Sequence, residues 1–131
     1  MELEKRYADE VIAHAQEEDP NECCGILAGL DGRITRLYRT ANADKSPYRY
    51  NVESRDLLRI FRDIEDNGWE LLGIYHSHTH TEAYPSPTDV SLAFWPDSYY
   101  FIVSLKDAQN PIIRAFRIVE GKITEEAVRV V

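Results

Sequence analysis

The most informative segment of this sequence is His76-Ser77-His78-Thr79-His80-Thr81-Glu82-Ala83-Tyr84-Pro85-Ser86-Pro87-Thr88-Asp89. It follows an apolar run, Leu71-Leu72-Gly73-Ile74-Tyr75, that reads as a buried strand. Side chains alternate along a strand, so Leu72, Ile74, His76 and His78 are expected on one face. Ser86 followed by Pro87 is an N-cap with proline at the first helical position, and the helix it starts would fix the direction of Asp89. Two imidazoles and a returning carboxylate supply three of the four ligands that zinc takes. A fourth position left to water is the pattern of a catalytic rather than a structural site. Alternation continued to His80 would bring a third imidazole to that face, and three imidazoles also hold zinc. A strand that ends near His78 instead sends His80 into the loop.

Written as a pattern, the segment is H-x-H, seven residues, then S-x-x-D, with Glu22 far upstream in Asn21-Glu22-Cys23-Cys24-Gly25. In these motifs, and over nearly its whole length, the chain resembles the JAMM (MPN+) zinc metalloproteases. These enzymes cut isopeptide and peptide bonds at the C-terminus of ubiquitin-like proteins. The likeness is greatest to small bacterial members that release cysteine from a ubiquitin-like sulfur-carrier protein. It is carried by Asn21 to Gly25, Tyr75 to Thr79, Thr81 to Ser86 and Thr88-Asp89-Val90. The resemblance implies that His76, His78 and Asp89 hold one zinc ion per chain, that Glu22 moves the proton and that Ser86 hydrogen-bonds the tetrahedral intermediate. It further implies a partner ending in diglycine. Thr79, His80 and Tyr84 are candidate substrate contacts.

A chain of 131 residues is expected to form one domain over residues 1–131, large enough to fold without staples. With 44% hydrophobic and 29% charged residues it has the composition of an ordinary globular protein. Its net charge of −8 argues against nucleic acid or an anionic membrane as partner, since both require basic surface. No apolar run is long enough to span a bilayer and the charged N-terminus has no signal-peptide core, so a cytoplasmic protein is expected. Cys23 and Cys24 are adjacent, which disfavours both a disulfide and a C-x-x-C metal pair; they read as small buried hydrophobes at a strand start.

Leu3, Tyr7, Ala8, Val11, Ile12 and Ala15 recur at helical spacing and predict a helix over 3–18, stopped by Asp19-Pro20. His14 is expected at or near its surface. Cys23 to Leu30 and Arg33 to Arg39 form a hairpin about Asp31-Gly32. Residues 41–50 read as a loop with a possible short strand at Tyr48-Arg49-Tyr50; Asn42, Ser46 and Tyr50 could approach the site. A helix over 54–66 places Leu57, Leu58, Phe61 and Ile64 inward and stops at Asn67-Gly68. Strands are expected over 69–78, 99–105, 112–119 and 122–130, with a helix from Ser86 to about Ala93. The order αββαβαβββ is an α/β fold with a mixed sheet, because the closing strands are joined too tightly to be parallel. It is compatible with the JAMM/MPN (cytidine-deaminase-like) fold, a curved mixed sheet flanked by helices.

Amide hydrolysis at neutral pH requires an activated water and a way to hold the oxyanion. Zinc, when bound, lowers the pKa of water to about 7 and polarises the carbonyl. A carboxylate must carry a proton from the water to the leaving amine. Glu22 opens a strand that could lie beside the central one, so it is within reach. Ser86 is the oxyanion contact that the resemblance implies, a helix cap, or both if one side chain is shared between the two jobs, and it lacks the base–orienter pair of a covalent nucleophile. Tyr84 and Tyr75 could line a groove for an extended tail docking along a sheet edge. The reading is therefore a zinc-dependent hydrolase that releases cysteine from the C-terminal glycine of a sulfur carrier. The alternatives are an isopeptidase acting on protein lysines, a non-catalytic MPN-type binding module and a metallonuclease, the last in poor accord with the acidic balance.

Overall fold

A computed structural model describes all of residues 1–131. Its elements are β1 (Glu2–Leu3), α1 (Lys5–Glu18), β2 (Cys24–Leu30), β3 (Arg33–Thr40), α2 (Ser54–Asp66), β4 (Glu70–His78), α3 (Pro87–Ser91), β5 (Tyr99–Ser104), β6 (Ile112–Val119), β7 (Lys122–Glu126) and β8 (Arg129–Val130). Six strands form one mixed sheet in the order β3-β2-β4-β5-β6-β7. Only β4 and β5 run parallel, and the crossover between them carries the metal-binding segment and α3. The fold is the mixed α/β sheet flanked by helices that the sequence predicts.

Two hairpins turn as their dipeptides require. Asp31 and Gly32 both have positive φ (55° and 76°), as do Glu120 and Gly121 (51° and 79°). This is the backbone of the two-residue turn whose twist matches paired strands. The central strands are buried on both faces, hence their nearly continuous apolar sequences. On one face α1 packs Tyr7, Ala8, Val11 and Ala15 against Cys23, Leu27, Tyr75 and Phe101. On the other, Ile60 and Ile64 of α2 cover Ile26 and Ala28, while Cys24, Ile74, Tyr100, Ile102 and Phe116 continue the core toward the site.

Several expectations need correcting. Leu72 does not share a face with Ile74 and His76. Leu27 pairs with Gly73 but Ala28 pairs with Leu71, so Leu72 is the extra residue of a β-bulge and packs on the α1 side. Leu58 is exposed; Leu57, Ile60, Phe61 and Ile64 make the inward stripe, and Leu58 lies about a quarter turn off it. Tyr48 to Tyr50 is not a strand, and the loop is closed by a single bridge between Asn42 and Val52. Leu3 belongs to β1 rather than to the helix. The predicted strand over 122–130 breaks into β7 and β8, and β8 leaves the main sheet to pair in parallel with β1. That pairing ties the two ends of the chain together, with Lys5 N–H donating to Val131 O at 2.8 Å. The third helix stops at Ser91, short of Ala93.

His14 is buried, contrary to expectation, because its Nδ1 meets the Tyr75 hydroxyl at 2.7 Å and joins α1 to the middle of the sheet. The Tyr75 ring reaches that position by passing over Gly25, its cross-strand neighbour. A Cβ on Gly25 would stand 2.2 Å from the ring. Gly25→Ala is therefore expected to destabilise the fold by about 3 kcal/mol through overpacking. Thermal denaturation should show the midpoint falling by roughly 10 °C; an unchanged midpoint contradicts this packing of Tyr75.

Candidate active site

The site forms where β4 ends. His76 and His78 emerge on one face, separated by one residue pointing the other way. His76 Nε2 and His78 Nε2 are 3.1 Å apart, and Asp89 Oδ2 lies 3.1 Å from the first and 3.0 Å from the second. All three side chains are buried. His78 Nδ1 lies 2.8 Å from Glu82 O, so it donates its proton there and leaves Nε2 with a lone pair directed at the same point. A lone pair, a carboxylate oxygen and a second imidazole nitrogen converging this closely repel one another unless a proton or a metal cation stands among them. The spacing suits ligand atoms held about 2.0–2.1 Å from one ion. The residues present fit a metal: one ligand atom each from His76, His78 and Asp89 could hold a single ion.

Asp89 is aimed by the start of α3. Ser86 Oγ accepts from Asp89 N–H at 3.1 Å, and Ser86 N–H donates to Asp89 Oδ2 at 2.9 Å, a reciprocal capping box with Pro87 at the first helical position. Burial alone would raise the pKa of Asp89, but its close contacts with the His76 and His78 rings and the hydrogen bond from Ser86 N–H hold the carboxyl well below the usual range. Burial lowers the pKa of His76. For His78 burial acts the same way, but the neighbouring Asp89 and the Glu82 carbonyl outweigh it and raise the value.

Glu22 precedes β2. The pairing of Cys24 with His76 and of Gly25 with Tyr75, continued by one pleat, sets Glu22 across from His78. Cys23 and Ser77 confirm that register: Ser77 N–H donates to Cys23 O at 3.2 Å and Cys23 N–H to Ser77 Oγ at 2.8 Å. Directly opposed residues of an antiparallel pair share a face, so Glu22 faces the metal site. It is 4% exposed and its Oε1 has no hydrogen-bond partner. Burial pushes its pKa up to about 8, against the attraction of His78 and with the repulsion of Asp89.

A loop over 41–52 closes over this region, and its part was not legible in the sequence beyond the suggestion that it could come near. Asn42 pins it with both ends of its amide: Nδ2 donates to Glu22 O and Arg49 O at 3.0 Å each, and Oδ1 accepts from Asp44 N–H at 3.1 Å and Asn51 N–H at 2.9 Å. Glu22 N–H in turn donates to Ser46 O at 2.8 Å. Tyr50 lies flat on His76, ring centres 4.2 Å apart and planes 18° apart. No spacing rule marks either residue, because both depend on how the loop folds back.

The remaining candidates are dispersed. β4 ends at His78, so alternation fails there, and His80 is exposed with its Nδ1 2.7 Å from Thr79 Oγ1. It is not brought to the metal site. Thr79 is buried against the covering loop. Tyr84 is 43% exposed, edge-on to Phe116 and within reach of Arg114. Tyr75 cannot line a groove, being wholly buried on the opposite face of β4. Cys23 and Cys24 are buried free thiols whose pKa values burial pushes up to about 12 each, so they are inert hydrophobes as read.

The acidity of Glu22 has a stability consequence in the metal-free protein. Its pKa rises from an ordinary 4.5 to about 8 on folding, so between those values the folded state holds more protons than the unfolded. Stability on this account falls as pH rises through that window. After chelator treatment, Glu22→Gln should melt at the wild-type temperature near pH 4.5 and above it near pH 8. An equal difference at both pH values contradicts the burial of this carboxyl.

Comparison with known proteins agrees with this geometry. Residues 4–119 match the family described as prokaryotic homologues of the JAB domain. The chain is 46% identical over 123 residues to the CysO-cysteine peptidase of Mycobacterium tuberculosis, covering 92% of this chain and 84% of that one. It is 35% identical over 103 residues to the desampylase of Haloferax volcanii, covering 73% of this chain and 74% of that one. The solution structure of a Desulfitobacterium hafniense protein superposes with a TM-score of 0.88 at 38% identity, over 98% of this chain and 91% of the other. A JAB1/MPN domain protein of Archaeoglobus fulgidus shares the fold, with a TM-score of 0.65 at 19% identity over 98% of each chain. With a matched region that takes in Glu22, His76, His78, Ser86 and Asp89, this chain belongs to the family of prokaryotic JAB-domain homologues.

Proposed function

We propose that this protein hydrolyses the amide bond after the C-terminal glycine of a ubiquitin-like sulfur-carrier protein and releases cysteine, using one zinc ion per chain. The chain is a hydrolase of the JAB type, and its mycobacterial relative is named for a CysO–cysteine linkage. The observation that carries the reading is the convergence of two imidazole nitrogens and a carboxylate oxygen within 3.1 Å, beside a buried carboxylate with an unused oxygen.

His76, His78 and Asp89 would hold the zinc, which when present acts as a Lewis acid on water and on the scissile carbonyl. Glu22 takes the proton from the attacking water on its free Oε1 and delivers it to the departing amine. A pKa raised by burial suits a group that must both accept and return that proton. Ser86 serves two ends with one hydroxyl: its oxygen lone pair accepts from Asp89 N–H in the cap, which leaves the O–H proton to donate to the oxyanion. Cap and oxyanion contact are therefore compatible through one shared hydroxyl. Thr79, His80 and Tyr84 remain candidate contacts for the carrier's extended tail.

The Haloferax relative, named as a desampylase, favours a second reading in which the leaving amine belongs to a protein lysine. Both share the attacked carbonyl. A non-catalytic binding module accords poorly with a complete ligand set and a poised Glu22, and a nuclease with a net charge of −8. The helices include none long and apolar enough to cross a membrane; with two free thiols, we place the protein in the cytoplasm.

Two experiments test these assignments. Glu22→Gln should lower turnover by at least about 10²-fold while one zinc per chain is retained, and near-normal turnover removes Glu22 as the base. Offered separately a carrier–cysteine adduct and a carrier–lysine conjugate, the enzyme should cleave the first faster; cleavage of the lysine conjugate alone overturns the preferred substrate.

A further inference from the structure

We infer that Tyr50 is a positioning residue for the metal centre, holding the His76 imidazole by ring stacking in place of the hydrogen bond that orients His78. The inference rests on His76 being a metal ligand, and on nothing about the substrate.

The two histidines are supported in different ways. A metal-bound imidazole ordinarily gives its second ring N–H to a carbonyl or carboxylate, which fixes the ring and its tautomer. His78 does this through Nδ1 and the carbonyl of Glu82, at 2.8 Å. His76 does not, for its Nδ1 is buried and has no hydrogen-bond partner. What lies against His76 is an aromatic face. Tyr50 is 7% exposed and its ring is nearly parallel to the imidazole at a 4.2 Å centre-to-centre distance. Stacking at this distance restricts tilting of the ring about the bond that aims Nε2.

The stack also favours the loaded form over the empty one. A cation on Nε2 draws electron density from the imidazole, and a partly positive ring is attracted to the negative face of the phenol. The preference belongs to the aromatic face, not to the hydroxyl or to bulk alone. Tyr50 is itself held firmly. Asn42 ties the backbone on either side of it, at Arg49 O and Asn51 N–H, to the backbone of Glu22. Tyr50 also lines a small cleft with Val52, Leu57, Leu92, Phe94 and Trp95. One loop therefore sets both the base and one ligand, and Tyr50 is its contact with the His76 ring.

The test compares Tyr50→Phe with Tyr50→Leu in the full chain. Zinc affinity is measured by competition with a chromophoric chelator, the visible spectrum is recorded after cobalt substitution, and the metal-free melting temperature serves as a control for folding. Tyr50→Phe should bind zinc within about threefold of wild type with an unaltered cobalt spectrum, and Tyr50→Leu about tenfold more weakly with an altered one. Wild-type affinity in Tyr50→Leu, or equal losses in both variants, overturns the proposal. Should the leucine variant not fold, the wild-type protein decides by NMR. Ring current from Tyr50 should move the His76 ring protons upfield of those of His78, and coincident shifts overturn the stacking. Zinc content of the wild type separately tests whether His76 is a ligand at all.

Discussion

The register between β2 and β4 is the constraint on which the site depends. Cys24 opposite His76 brings Glu22 opposite His78, and one residue of slip would turn the Glu22 carboxylate to the other face of the sheet. The register is secured by packing on both faces: Cys24 and Ile74 on the site face, Cys23, Leu27 and Tyr75 on the other. Gly25 matters for the same reason. It lets the Tyr75 ring cross the strand to reach His14, and so joins α1 to the residue that directly precedes the first candidate ligand.

The third candidate ligand arrives by a different logic. His76 and His78 are presented by a central strand, whereas Asp89 is presented by a helix only five residues long. So short a helix has little stability of its own. It is kept in place by the Ser86 and Asp89 cap, and Asp89 of that cap also meets His76 and His78. Local helix-start chemistry thus does the work that tertiary packing does for the strand. The cost is concentrated in buried polar groups, Glu22 Oε1 and His76 Nδ1 among them, which have no partners in the fold. Unpaired buried polar atoms of this kind are tolerated where chemistry needs them.

The legible part of this protein was the part written in local spacing. The helix over 54–66, the Asp31-Gly32 turn, the Ser86 cap and the H-x-H strand end all follow from short-range rules, and the structure reproduces them. The rest depended on long-range events. The bulge at Leu72 reverses a face in mid-strand without any glycine or proline at that residue to announce it. The pairing of Glu2–Leu3 with Arg129–Val130 joins opposite ends of the chain. His14 was misplaced because a lone histidine on a helix reveals no partner, and its partner lies 61 residues away. At the site, the five motif residues could be given roles in advance, whereas Asn42 and Tyr50 could be named only as parts of a loop able to approach it. Their roles arise from a loop folding back on Glu22 and His76, which no periodicity encodes.

The central claim is that two imidazoles and one carboxylate, from a strand end and a helix start, make a single metal centre. X-ray absorption at the edge of the bound zinc tests it most directly. The account predicts nitrogen and oxygen scatterers at about 2.0–2.1 Å, with outer-shell features of two imidazoles and no sulfur. A sulfur shell near 2.3 Å, implicating Cys23 or Cys24, or the signature of three imidazoles, implicating His80, would contradict it.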